Sequence, residues 1–145
     1  MAANEALLPE DDSSQEVDDL VDATVEDFDP SKAVARMEKA IARGMPGLRR
    51  SSVYMVLGTR YEDLEDLEKA LESYTKSLAY VGRSPITLFW RGQIYYRRGD
   101  LDNAQVDFEQ ALAFDPPEKL DDADASAART FLAEISARRG GGGAT

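Results

Sequence analysis

The chain has 145 residues, of which 43% are hydrophobic, and this allows one small domain with a modest core. Its formal net charge is −11, and residues 1–30 hold eleven acidic residues and no lysine or arginine. The remainder is neutral, with 17 acids and 17 bases, which argues against sequence-independent binding of nucleic acid. The absence of cysteine and histidine excludes disulfides, thiol nucleophiles and histidine ligands or bases.

Several further classes of function are disfavoured by what the sequence lacks. No apolar run approaches the length of a membrane span, and an acidic N-terminus is the opposite of a signal or transit peptide. We therefore expect a cytoplasmic protein with no membrane span. There is no glycine-rich phosphate loop, serine elbow or spaced set of metal ligands. We predict no enzymatic activity, no cofactor, no metal and no nucleic-acid partner.

The N-terminal part is predicted to change character at residue 17. Residues 1–16 form an acidic tail that we expect to be disordered, because it holds too few apolar residues to bury. Residues 17–28 carry apolar side chains at helical spacing among acids. Two interpretations stay open: the segment is the first helix of a degenerate repeat over 17–50, or it is a linear motif that docks into a groove of this chain or another. The apolar residues are Val17, Leu20, Val21, Val25 and Phe28.

A second helix is predicted to begin at Asp29, Pro30 and Ser31, where a capping side chain precedes a proline. Its residues Ala33, Met37 and Ala40 alternate small, large and small. The glycines and proline of 44–47 end it. The following basic pair, Arg49 and Arg50, is predicted to lie in a solvated loop.

Residues 51–84 and 85–118 align without a gap. Gly58 aligns with Gly92, Tyr61 with Tyr95, Ala70 with Ala104, Tyr74 with Phe108, and Ser77 with Ala111. The marked residues predict two helices in each copy, at 53–62 and 68–79, then at 87–97 and 103–114. A period of 34 residues indicates stacked helical pairs, because one pair cannot bury its apolar face alone.

These spacings resemble the signature of the tetratricopeptide repeat family. The second copy matches closely and closes with Asp115 and Pro116, whereas the first has Ser77 in place of an alanine and Gly82 in place of the closing proline. Arg91 takes a position that is usually apolar. The resemblance implies an all-α fold of antiparallel helix-turn-helix repeats, stacked as a short right-handed superhelix. A capping helix is predicted at 119–139 and a flexible tail at 140–145.

The resemblance also implies that the first helices of successive repeats line a concave groove. The predicted groove residues are Met55, Thr59, Glu62, Phe89, Trp90, Gln93, Tyr96 and Arg97. Its aromatic residues favour a peptide site, since Trp and Tyr are enriched in binding hot spots. The alternative is that Phe89 and Trp90 pack against the neighbouring repeat. Met55, Thr59 and Trp90 stand where family members that bind a chaperone's C-terminal carboxylate have lysine, asparagine and arginine, so that activity is not expected.

We therefore predict a non-catalytic protein-protein interaction module, an adaptor or assembly chaperone that binds a partner peptide or helix in the groove. The acidic tail is predicted either to compete for this groove or to screen it from wrong partners, in a manner that salt weakens. The alternatives are a scaffold that self-associates end to end, or a secretion-type chaperone. The fold alone does not choose among them, because it serves many tasks.

Overall fold

The computed structural model describes residues 29–42, 47–81 and 84–143. The segment 17–28, for which two interpretations were left open, lies outside the described residues. Within them the protein is all-helical. The helices are α1 (Pro30–Ala42), α2 (Gly47–Asp63), α3 (Leu67–Tyr80), α4 (Pro85–Arg97), α5 (Leu101–Leu112) and α6 (Asp122–Gly143).

Side-chain caps set where the repeat helices begin. The Asp66 side chain accepts a hydrogen bond from the Lys69 amide at the start of α3, and Asp100 accepts one from Asn103 at the start of α5. The two aspartates are 34 residues apart and satisfy the same otherwise unpaired amide in each repeat. Ser84 caps α4 in the same way, with a proline in the first turn.

The turn inside each repeat needs one residue in the left-handed conformation. In the second repeat this is Gly99, with φ of 79°, and in the first it is Glu65, with φ of 59°. Glycine adopts this conformation without strain, whereas glutamate does so at a cost. The two residues are again 34 positions apart, so the turn geometry repeats even where the residue type does not.

Each helix packs chiefly against its neighbours in the chain, with α2 on α3 and α4 on α5 forming the two helical pairs. Gly58 of α2 lies against the ring of Tyr74, and Gly92 of α4 lies against the ring of Phe108. Both aromatic side chains are fully buried. The glycines therefore have the role that the sequence indicated: they let the two helices of a pair approach closely.

Replacing Gly58 with alanine is expected to lower the free energy of unfolding by about 1–3 kcal/mol, because the new Cβ atom would overlap the buried Tyr74 ring. Gly92→Ala should lower the free energy of unfolding by less, since its added Cβ would lie 2.9 Å from Phe108 Cε1, farther than the Cβ added at Gly58 would lie from Tyr74 Cε1. Gly140→Ala is the matched control: nothing lies within 4 Å of its added Cβ, and alanine favours the helix. Urea denaturation measures all three, and equal stabilities for the Gly58 and Gly140 variants would contradict the argument.

Two buried clusters make up the core. The first joins α1, α2 and α3 through residues that include Met37, Leu57 and Tyr74. The second joins α4, α5 and α6 through residues that include Phe108 and Ile135. Trp90 packs against both clusters, so it connects the first repeat to the second.

Two departures from the family signature, Ser77 and Arg91, are each compensated by hydrogen bonds. Ser77 and Ser51 are buried, and each hydroxyl donates to the other residue's carbonyl oxygen, at 2.7 and 2.9 Å. Arg91 binds Asp107 in a bidentate manner, with Nε 2.7 Å from Oδ2 and Nη2 2.8 Å from Oδ1. Buried polar groups are tolerated here because they have partners.

Two predicted segments differ from the structure. Arg49 and Arg50 are not in a loop, because α2 begins at Gly47 and includes both. The Arg50 guanidinium lies over the Tyr80 ring and donates to its hydroxyl at 3.3 Å, which fixes this turn against α3. The last helix continues to Gly143. Arg139, which binds Asp102 and Gln105 of α5, holds the turn that precedes these glycines.

Candidate peptide-binding face

Six of the predicted groove residues lie on α2 and α4, and we call the surface that they define the α2–α4 face. Met55, Thr59 and Glu62 follow helical spacing on α2, as do Gln93, Tyr96 and Arg97 on α4. The Arg97 guanidinium joins the two rows, with Nη1 3.6 Å from Glu62 Oε2. All six side chains are half-buried or exposed. The face therefore offers an apolar group, an amide and a charged pair to a partner.

Glu62 and Arg97 form a charged pair at one end of the α2–α4 face. They are in contact because the C-terminal ends of α2 and α4 lie side by side. Arg97 also reaches Glu65, with Nη2 3.4 Å from Oε2. The positive charge at this end of the face is thus shared between two carboxylates, and a basic partner side chain would meet net negative charge.

Phe89 does not line the face. Its side chain is 2% exposed and its ring lies 5.9 Å from that of Phe108, centroid to centroid. Phe89 belongs to the buried cluster that α4, α5 and α6 share, which removes it from contact with any ligand. The prediction that it is a groove residue was wrong, because Phe89 packs in the core of its own repeat and the last helix.

Trp90 lies at the edge of the face and is half-buried. Its ring is tilted against Tyr74 of the preceding repeat, with centroids 6.0 Å apart. This is the packing against a neighbouring repeat that the sequence left open as an alternative. Trp90 therefore stabilises the junction between repeats and is only partly available to a partner.

Tyr96 connects the face to the last helix. Its hydroxyl donates to Glu134 at 2.6 Å, its ring packs on Phe131 at 4.9 Å, and the Arg138 guanidinium lies 4.9 Å above it. The hydrogen bond to Glu134 raises the pKa of Tyr96 above its ordinary value. The last helix thereby forms one wall of the α2–α4 face.

A buried tyrosine holds the Glu62 side chain in place. The Glu62 carboxylate accepts a hydrogen bond of 2.5 Å from the Tyr74 hydroxyl. Burial and this bond raise the pKa of Tyr74 far above its ordinary value, so that it remains a donor. Glu62 is consequently fixed by Tyr74 on one side and Arg97 on the other, and its carboxylate is presented with little freedom.

Sequence reasoning missed a cavity of about 320 Å³ between α1, α2 and α3. It lies on the other side of α2 from Met55, against Tyr54, Leu57 and Tyr61. The remaining lining residues are Glu38, Ile41, Ala42, Lys69, Glu72, Ser73 and Lys76. The available signal was the spacing of Lys69, Glu72 and Lys76 on one face of α3, but the cavity itself depends on how α1 packs.

In the part of the chain that the structure describes, every helix is too short or too polar to cross a bilayer.

Two family models match the sequence, both described as tetratricopeptide repeat, at residues 51–80 and 85–118. Among curated proteins, no sequence matches the chain significantly.

Several solved structures share the fold. PcrH from Pseudomonas aeruginosa is 22% identical, with a TM-score of 0.72 over 89% of this chain and 95% of that one. PcrH in complex with the chaperone binding region of PopD is 23% identical, with a TM-score of 0.63 over 76% of this chain and 80% of that one. A third structure is the Yersinia enterocolitica type III secretion chaperone SycD in complex with a peptide of the translocator YopD. It is 14% identical, with a TM-score of 0.69 over 96% of this chain and 96% of that one. At these identities the likeness establishes the helical-repeat fold.

Proposed function

We propose that this protein, whose chain carries two consecutive tetratricopeptide repeats, is a non-catalytic chaperone or adaptor that binds a peptide segment of a partner on the α2–α4 face. The observation that carries the proposal is the composition of this face. Met55 and Gln93 are half-buried on α2 and α4, and the Glu62–Arg97 pair joins these two helices. A mixed surface of this kind suits one segment with an apolar anchor and polar flanks.

The secretion-type chaperone is the form of this function that the structural neighbours favour. Two of them were solved with a bound segment of another protein, the chaperone binding region of PopD and a peptide of the translocator YopD. The shared fold extends over 76% and 96% of this chain in those two comparisons. We extend that role to this protein: its partner is a segment of a secreted, translocator-type protein, held before export in the cytoplasm.

The size of the face sets the expected affinity. Two repeats and one wall from α6 bury a small area, at the low end for specific complexes. We therefore expect a dissociation constant of about 1 μM or weaker for an isolated peptide. A stronger complex would require contacts beyond the α2–α4 face.

The test uses three baits in affinity purification from the native cell: the wild-type protein, a Met55→Glu, Gln93→Glu variant, and Val106→Glu. Val106 is 49% exposed on α5, away from the face, so its variant is a matched control for added charge. Overlapping peptides of the captured protein are then titrated against each bait. Trp90, the single tryptophan, borders the face and reports binding by fluorescence.

We expect the wild type and Val106→Glu to bind one peptide with equal affinity, and the Met55→Glu, Gln93→Glu variant to bind it at least tenfold more weakly, a loss of about 1.4 kcal/mol. Equal binding by all three would move the site off the α2–α4 face. Sedimentation tests the alternative of a self-associating scaffold, which a concentration-independent monomer would eliminate.

A further inference from the structure

Charge is arranged along the chain in blocks, and two adjacent blocks are opposite in sign. Residues 1–30 contain eleven acids and no base, whereas residues 31–60 contain seven bases and a single acid, Glu38. Residues 61–145 contain sixteen acids and ten bases. The basic block corresponds to α1 and most of α2. The most acidic part of the protein is thus joined directly to its most basic part.

The cavity between α1, α2 and α3 borders this basic block, with half of its lining residues from 38–57 and half from 61–76. Its floor is apolar, with Ile41 and Leu57, and its rim carries two lysines that lie over tyrosine rings. Lys69 Nζ is 5.5 Å from the Tyr61 ring centroid, and Lys76 Nζ is 5.5 Å from that of Tyr54. We call this surface the lysine–tyrosine pocket.

The acids at the rim are already engaged. Glu38 accepts a hydrogen bond of 2.6 Å from the Tyr61 hydroxyl, and Glu72 pairs with Lys76 at 2.9 Å. Among the described residues, no carboxylate forms an ion pair with Lys69. On α1, Arg36 and Lys39 are exposed, and both are close in sequence to the lining residue Glu38. An occupant with apolar side chains and several carboxylates would therefore match both the floor and the rim.

We propose that residues 17–28 of this same chain dock in the lysine–tyrosine pocket. This segment has the required composition: Leu20, Val21 and Val25 are apolar, and six acids, Asp18, Asp19, Asp22, Glu26, Asp27 and Glu16 just before it, surround them. Leu20 and Val21 fill the cavity, and the neighbouring carboxylates face Lys69 and Lys76. A cavity of 320 Å³ holds a few side chains and is at the small end for an organic ligand.

The length of the segment is sufficient for this contact. It ends at Phe28, two residues before the first residue of α1, and the pocket lies towards the opposite end of α1, beside Ile41 and Ala42. A helix the length of α1 is about 20 Å long, and twelve residues span about 18 Å as a helix or about 40 Å when extended. Residues 17–21 therefore reach the pocket when the segment is extended. Attachment at one end also raises the effective concentration of the segment, which favours it over a free peptide.

Zero-length carbodiimide cross-linking of the full chain tests this proposal, because it joins lysines to carboxylates that are in contact. Equal amounts of ¹⁴N- and ¹⁵N-labelled protein are mixed before the reaction. We expect links from residues 17–28 to Lys69 and Lys76, with both linked peptides of one isotope. Lys119, on the far side of the second repeat, is the internal control and should give none. Mixed-isotope links would place a second copy in the pocket, and an absence of links to Lys69 and Lys76 would overturn the proposal.

A second measurement uses the absence of natural cysteine, which makes a spin label at Ala23→Cys unique. We expect the label to remove most of the amide signal of Ile41 and Leu57, and the Lys69→Glu, Lys76→Glu variant to restore it. Lys119→Glu is the matched control and should leave the broadening unchanged. Loss of the Met55 and Gln93 signals instead would put the segment on the α2–α4 face, and unchanged signals throughout would show that it docks nowhere. Either result overturns the proposal.

Discussion

Replacing Asp107 with alanine is expected to lower the free energy of unfolding by about 3–5 kcal/mol. Asp107 is 2% exposed and binds Arg91 through both carboxylate oxygens. The variant would leave the guanidinium partly buried without its counter-charge, and the cost of an unpaired buried charge exceeds that of a lost surface pair. Urea denaturation followed by circular dichroism measures the change.

The control for this effect is the double variant Arg91→Met, Asp107→Leu, which removes both charges and fills the space with apolar atoms. It should be more stable than Asp107→Ala alone, since neither buried charge remains. Glu109→Ala, on the exposed side of the same helix, should change stability by less than about 0.5 kcal/mol. An Asp107→Ala cost no greater than that of Glu109→Ala would show that the pair contributes little.

Phe108→Ala is expected to cost a similar amount, about 3–5 kcal/mol, through the cavity it leaves. The Phe108 ring stacks on Phe131 of α6 at 5.0 Å, nearly parallel, and packs on Phe89 of α4 at 5.9 Å. It is the side chain through which α4, α5 and α6 meet. Besides global stability, the attachment of α6 should weaken, so the amides of α6 should exchange faster with solvent than those of α3.

Val106→Ala, two residues earlier on the exposed side of α5, is the matched control and should be close to neutral. Hydrogen exchange followed by mass spectrometry separates the two helices. Uniform acceleration in α3 and α6 would mean that the two repeats unfold as one unit. Acceleration confined to α6 would confirm that Phe108 secures the C-terminal wall of the α2–α4 face.

The parts of the fold that follow from local chemistry could be read from the sequence. Gly58 and Gly92, with Tyr74 and Phe108 sixteen residues on, specify close helix pairs because the small and large residues must meet. The repeat period then required stacked pairs. The caps Asp66 and Asp100 follow from the same register.

The site was less predictable because burial depends on elements distant in sequence. Helical spacing places Phe89 on the same side of α4 as Gln93, but the cluster shared with α5 and α6 encloses it. The lysine–tyrosine pocket depends on the position of α1, which spacing within α3 does not reveal. The Arg91–Asp107 ion pair could have been predicted, because each residue is a charged side chain at a position where its helix packs against the other helix of the repeat.

The packing of each helix chiefly on its neighbours in the chain has a kinetic consequence. Contacts close in sequence require little loop closure, so the transition state for folding costs little entropy. We infer that the described helices fold within microseconds to milliseconds, the range of helical proteins with local contacts. Folding would therefore be complete almost as soon as the helices leave the ribosome, which adds only about 5–20 residues per second.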